Sequence, residues 1–400
     1  MSKKASSGYF GPKIKSDCRI TYTETGGVMD ILFTEGEPSE ELASAVEETA
    51  SRMGISGGSV EIENSGAAPF VGAARFEASA RKVLGEDFPL PPAAKSFKPS
   101  DRNRPRRSRL YVPGNMPRFM EKACGSEADG VILDLEDSVS PARKFEARIM
   151  VAYALRNLDF GETEVMVRIN QGELALEDIQ WVVPQPVQHI LIPKVEIPDQ
   201  VKTVRDMISK ESELCGRDAG IWLMPIVESP LGVFNALDIA RAAPDEMAAL
   251  TLGLQDLSAE MGVTPTVKGT ESFTARSLLV LAARAAGLQP IDTVYSDVKN
   301  EEGLRESVSR ARALGFVGKG CIHPRQVPVI NQGFLPDDKS LDKAKKIVMA
   351  MEEGEKKGLG AVALGSKMID PPVARQAQVL VDNALRLGLI SVDWRKEEGE

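Results

Sequence analysis

The sequence predicts an α/β protein built around a (β/α)8 TIM barrel, with a small α+β domain before it and a helical extension after it. Short apolar runs alternate with amphipathic helical segments about eight times over a little more than 200 residues, the count and size of such a barrel. No Gly-rich dinucleotide turn follows the first run, which disfavours the competing doubly wound sheet.

Residues 1–89 read as the small domain. CRITYTE (18–24) and MDILFTE (29–35) alternate in hydropathy and flank Gly26-Gly27, a hairpin signal. SEELASAVEETASRMG (39–54) and FEASARKVLG (76–85) have helical periodicity, and SVEIEN (59–64) reads as another strand. Residues 90–106 are rich in Pro, Lys and Arg and lack periodicity, as a linker does. The barrel domain, 107–330, holds the runs LYVPG (110–114), GVILDLED (130–137), EVMVRIN (164–170), HILIPKVE (189–196), IWLMPIVES (221–229), AALTLGLQD (248–256), PIDTVYSD (290–297) and GFVGKGCIHP (315–324). Amphipathic segments such as ARKFEARIMVAYALRN and ARSLLVLAARAAG separate them. From 331 to 400 the pattern is helical, in LDKAKKIVMAMEEGEKKG and PPVARQAQVLVDNALRLG, and the charged tail SVDWRKEEGE is expected to fray.

Composition narrows the function classes. Hydrophobic residues at 42% and charged residues at 27% are ordinary for a globular protein with a large core. A net charge of −9 argues against a nucleic-acid partner. Cys18, Cys124, Cys215 and Cys321 form no CxxC pair, and His189 and His323 lie far apart, so neither a zinc site nor a redox motif is indicated. With no apolar run of roughly 18 residues and no signal-peptide core, a cytoplasmic location without a membrane span is expected.

In such a barrel the active site forms at the C-terminal ends of the strands. Here those ends are polar in run after run: Asp134, Glu136 and Asp137, then Arg168 and Asn170, Lys194 and Glu196, Glu228, Asp256, Asp297 and His323. Each alone could be a helix cap. Several acids and two cations converging on one mouth are harder to explain that way. Carboxylates clustered without His or Cys point to a hard cation, Mg2+, and Glu228 and Asp256 on consecutive strands are the best pair of ligands. Arg168 is a candidate clamp for a carboxylate or enolate, or else a structural partner of Glu136 or Asp137. Glu136 and Asp137 are assigned to holding metal-bound water and aiming Arg168, which leaves Asp134 to cap or brace the loop. The set suits cleavage of a carbon–carbon bond beside carbonyls, with no Schiff-base lysine required.

At these residues the chain resembles the citrate lyase β-subunit and malyl-CoA lyase family. The likeness rests on RSRLYVPGN (107–115), VILDLEDSV (131–139), VRIN (167–170), PKVE (193–196), ESPLG (228–232), GLQDL (253–257), GFVGKGCIHPRQV (315–327) and SKMID (366–370), and covers roughly residues 106–385. It implies a Mg2+-dependent lyase that splits a β-hydroxyacyl thioester by a retro-Claisen reaction into an oxo acid and an acetyl-type thioester. By motif, Glu228 and Asp256 match the metal ligands and Arg168 the oxyanion arginine. Asp370 matches an aspartate that family members present to a neighbouring subunit's active site, which implies a homo-oligomer. Arg107 and Lys319 match positions near the CoA thioester, although solvated surface cations are an equal reading. Gln255 departs from the family, where an acid often precedes the metal aspartate.

GPKIKSDCRITYTE and VEIENSGAAPFVGAARFEASARKVL, within residues 8–86, resemble the citrate lyase acyl carrier (γ) subunit. That family carries a phosphoribosyl-dephospho-CoA arm on a serine just before Asp. Here Lys15 stands at the usual first serine, leaving Ser16 as the attachment candidate, with a plain polar loop residue as the alternative. Two functional readings follow. One is a fused γ–β citrate lyase chain working with a separate α subunit. The other, favoured by Lys15, is a free-standing malyl-CoA or citramalyl-CoA lyase with a vestigial carrier domain. A non-catalytic scaffold is disfavoured because Arg168, Glu228, Asp256 and Asp370 are all in place.

Overall fold

The computed structural model describes strands Cys18–Glu24, Gly27–Phe33 and Ser59–Asn64, then residue 94 and residues 96–397 except Val267 and Ser366. The three leading strands, β1 to β3, form an antiparallel sheet in the order β2-β1-β3. Ser16 and the helices expected over 39–54 and 76–85 lie outside the described residues.

Eight parallel strands close a barrel: β4 (Ser108–Pro113), β5 (Gly130–Asp134), β6 (Glu164–Arg168), β7 (His189–Ile192), β8 (Trp222–Val227), β9 (Ala249–Leu252), β10 (Gln289–Asp292) and β11 (Gly318–Cys321). Neighbours in sequence are neighbours in space, and β11 pairs with β4 to close the ring. The strands are buried on both faces, which is why they read as continuous apolar runs rather than alternating ones. Ile132, Met166, Leu191, Met224, Ile226, Ala249 and Ile291 meet in the interior, with Tyr111 packed against them. Helices between the strands cover the outside, among them α1 (Lys144–Asn157), α2 (Pro198–Cys215) and α4 (Phe273–Ala285), while the short α3 (Leu254–Glu260) follows β9 at the mouth.

Below the apolar layer the barrel is plugged by polar groups and by the stretch that leads into it. Arg106 makes a two-point ion pair with Glu164 at the start of β6 (2.6 and 2.7 Å), both side chains fully buried, with His189 3.7 Å from the same carboxylate. Ser100 Oγ also hydrogen-bonds Glu164. The indole of Trp222 donates to the Ser100 carbonyl, Gln289 to that of Arg102, and Gln188 to that of Lys98. Arg217 stacks on Phe97. Residues 97–102 are thus irregular yet strapped across the N-terminal ends of β6, β7, β8 and β10.

Asn331–Glu400, with Asn103–Pro105, forms a second compact unit. It is mainly helical: α5 (Asp338–Lys356), α6 (Pro371–Arg386) and the short α7 (Trp394–Glu397). It also contains a hairpin, Val362–Leu364 with Lys367–Ile369, that periodicity did not signal. The expected fraying does not hold as far as Glu397. Trp394 is fully buried in a cluster with Ile347, Val348, Ile369 and Val381, so one aromatic anchor fixes the tail. Among the described residues no helix is long and apolar enough to cross a membrane.

Candidate active site

A cavity of about 200 Å³ opens at the C-terminal end of the barrel, lined by Arg109, Tyr111, Asp134, Asp137, Arg168, Glu228, Thr251, Gly253 and Asp256 among others. Glu228 follows β8 directly, and Asp256 sits in the first turn of α3, just past β9. Glu228 is buried, and its Oε1 accepts the backbone N–H of Lys194 at 2.7 Å. Burial pushes its carboxyl up to about 8, and the negative charge of Asp256 adds to that rise. Gly253 makes this packing possible, because a Cβ there would lie 2.2 Å from Glu228 Oε2. That spacing explains the glycine that opens GLQDL.

Lys194 is the single non-glycine residue with positive φ (51°) among the described residues. A lysine in this region is uncommon and marks a backbone held by its surroundings. Its N–H serves Glu228, while its ammonium reaches Glu136 at 3.0 Å and Asp137 at 3.3 Å. One residue therefore ties the loop after β7 both to Glu228 and to the loop after β5.

Arg168 ends β6 and is gripped by Asp134 through two parallel bonds of 2.6 and 2.7 Å. Glu136 is 3.1 Å from its Nη1, and Tyr111 lies beneath it with the ring centroid 5.2 Å from Cζ. Of the two residues expected to aim the arginine, Glu136 contacts it and Asp137 does not. Asp134 is the main partner, because it is the inward-facing last residue of β5 and directly opposite Arg168 in the sheet register. Its oxygens also accept the N–H groups of Glu136 and Ser138, so it braces the loop at the same time. Asp137 pairs with Lys194 rather than with Arg168.

Other expected positions lie elsewhere. Arg107 precedes β4, at the rim opposite the mouth, in a two-point ion pair with Asp129. Lys319 is neither a surface cation nor at the mouth. Gly320 beside it faces the interior against Tyr111, so Lys319 faces the helix layer, where Asp292 takes both its ammonium and Arg276 of α4. Side-chain direction carries Lys319 away from the cavity, whereas Arg107 is separated from it by the height of its strand. Asp370 caps α6, accepting the Val373 N–H at 3.1 Å. Asn170 is turned to Asp178, Asp297 accepts the Lys299 N–H, and His323 accepts the Arg325 N–H.

The sequence reading missed Arg109, because it began the first barrel strand at Leu110. The available signal was alternation: in SRLYVP, Arg109 and Tyr111 share the inward face.

Glu228 and Asp256 fit a magnesium ion. They are two hard oxygen donors with no His or Cys nearby, and a buried carboxyl pushed upward gains from a cation beside it. Among the described residues no group of three or more His, Cys, Asp or Glu could hold a metal, so a cation here would complete its shell with water or substrate oxygens, as Mg2+ does.

Comparison with known proteins identifies the family to which this fold belongs. The family model for HpcH/HpaI aldolase/citrate lyase matches residues 107–324. The citrate lyase subunit beta of Leuconostoc mesenteroides subsp. cremoris is 36% identical over 276 residues, 68% of this chain and 91% of its own. The L-malyl-CoA/beta-methylmalyl-CoA lyase of Cereibacter sphaeroides is 34% identical, covering 70% and 95%. The solved structure of CitE from Mycobacterium tuberculosis in complex with magnesium, acetoacetate and coenzyme A superposes with a TM-score of 0.58 at 28% identity, covering 71% of this chain and 99% of that one. The chain belongs to the HpcH/HpaI aldolase/citrate lyase family. Like these relatives it is a carbon–carbon lyase.

Proposed function

We propose that the chain cleaves a citryl-type β-hydroxyacyl thioester by a Mg2+-dependent retro-Claisen reaction, giving oxaloacetate and an acetyl thioester. The observation that carries this reading is the meeting of Glu228, Asp256 and Arg168 on one cavity at the barrel mouth. The magnesium-, acetoacetate- and coenzyme A-bound relative supports it. Glu228 and Asp256 would hold the ion, which when bound polarises the oxo-acid oxygens. Arg168 stands ready to donate to the oxygen that gains negative charge as the hydroxyl passes its proton to solvent at the open mouth and the carbon–carbon bond breaks. Asp134, Glu136 and the face of Tyr111 fix its guanidinium in advance, so little reorganisation is needed during the reaction. The electron pair of the broken bond passes to the thioester as an enolate. Asp370 of a neighbouring subunit would supply the proton that converts it to the acetyl thioester, which makes the working unit a homo-oligomer. A carrier arm on Ser16, served by a citrate lyase α subunit, would deliver the substrate.

A second reading is supported by Lys15 and by the relatives named L-malyl-CoA/beta-methylmalyl-CoA lyase and citramalyl-CoA lyase: the thioester is free CoA and Ser16 is unmodified. Intact mass of the protein from its native host separates the two, since the first requires a large adduct on Ser16. In either case Asp256→Ala should abolish Mg2+-dependent cleavage while the fold persists; unchanged turnover would remove the metal assignment.

A further inference from the structure

Arg109 has no role in the reaction derived so far, and its setting is unusual. It points into the barrel from β4, is fully buried, and lines the same cavity as Arg168, Glu228 and Asp256. Among the described residues no carboxylate pairs with it. Nη1 reaches Thr251 Oγ1 at 3.1 Å and lies against Met224 Sδ, while Nε and Nη2 are buried with no hydrogen-bond partner. Burial lowers its pKa only to about 10, so it is a cation at neutral pH. The other buried arginine in the barrel interior, Arg106, has Glu164 as a full partner. A buried guanidinium with unpaired donors is costly to fold, by the whole desolvation penalty of those groups. Such a group calls for an anion that arrives later.

The height of the guanidinium indicates which anion. Thr251 pairs with Ile226 in the sheet register, so Gly253 and Glu228 stand one interior layer above it. Two residues along a strand are about 6.6 Å. That is about the length of a four-carbon diacid, with one end at the proposed metal carboxylates and the other at the floor.

We propose that Arg109 is a specificity-determining residue that binds the distal carboxylate of a dicarboxylate oxo acid. The inference rests on the reading of this cavity as the lyase site, and it names the substrate class. The acyl group would carry a carboxylate beyond the one next to the reacting carbon, as a citryl thioester does and a malyl or citramalyl thioester does not. Thr251 holds one edge of the guanidinium and leaves the other for the ligand.

The test is equilibrium binding of oxaloacetate and of pyruvate to the full chain in Mg2+, by titration calorimetry, for wild type, Arg109→Met and Arg109→Lys. Wild type should prefer oxaloacetate. In Arg109→Met the ratio of the two affinities should fall about ten- to hundredfold, the worth of a charge-assisted pair. Arg109→Lys should keep part of the preference, since it keeps the charge. Should Arg109→Met not fold, the wild-type ratio and Arg109→Lys still decide. Equal affinities in wild type, or a preference that survives in Arg109→Met, would overturn the assignment alone. Binding of neither oxo acid would overturn the lyase reading of this cavity as well.

Discussion

The two ends of the barrel each bury a glutamate, and the two are treated oppositely. At the N-terminal end Glu164 has Arg106, His189 and Ser100 around it. Burial raises its carboxyl, but His189 and Arg106 outweigh that and hold it well below the usual carboxylate range. At the C-terminal end Glu228 has one backbone N–H and a neighbouring aspartate, and it is pushed up to about 8. The same contrast holds for the surroundings. Arg106–Glu164 and Arg107–Asp129 are matched one to one. The mouth gathers Asp134, Glu136, Asp137, Glu228 and Asp256, five acids against the three cations Arg109, Arg168 and Lys194. A neutralised end holds the barrel shut, whereas an end with surplus negative charge is prepared for a cation.

Breaking the matched end should give the largest effect on stability. Arg106→Leu leaves Glu164 buried without its main partner, which should cost about 3–5 kcal/mol in urea unfolding. The kcat/KM of the folded fraction should change by less than about threefold. A large loss of turnover at unchanged stability would erase the distinction between the two ends.

An intermediate effect comes from pH. Glu228 keeps a proton in the folded chain that the unfolded chain releases near its ordinary value, so its contribution to stability falls as pH rises from about 4.5 through about 8. Between pH 6 and 8 the loss should reach roughly 2–3 kcal/mol without divalent metal, and Mg2+ should remove it. Thermal midpoints at the two pH values, with chelator or with Mg2+, check this; a slope indifferent to Mg2+ would separate Glu228 from the metal. Glu164, held low, works in the other direction. Its stabilisation is complete above about 4.5 and is lost as pH falls toward its depressed value.

The smallest effect is expected at Asp137. It is half exposed and pairs with a partly exposed lysine, a pairing worth about 0–1 kcal/mol. Asp137→Asn should therefore change stability by less than about 1 kcal/mol and kcat/KM by less than about fivefold. A hundredfold loss would return it to the catalytic set.

All eight barrel strands and their order could be read from the sequence, because strands buried on both faces leave uninterrupted apolar runs between helical ones. Glu228 and Asp256 stood out as candidates because acids follow several such runs, although any one alone could cap a helix. Direction was not legible. Whether Arg109 or Lys319 faces the cavity depends on strand register and on where the first strand starts, and one residue reverses the answer. The strap over 97–102 was also hidden. Its anchors, such as Trp222 to the Ser100 carbonyl, join residues 122 apart and leave no local pattern. Trp394 reads as part of a charged tail until its packing against Val381 and Ile369 is known.

That strap has a consequence for traffic. The polypeptide enters the barrel at its sealed face, along the starts of β6, β7, β8 and β10, and the cavity opens at the other end of the strands. A strand of six residues, such as β4, is about 20 Å long. Anything tethered upstream of residue 97 therefore sets out from the back door. To reach the front it must span the full height of the barrel wall, or serve the mouth of another copy.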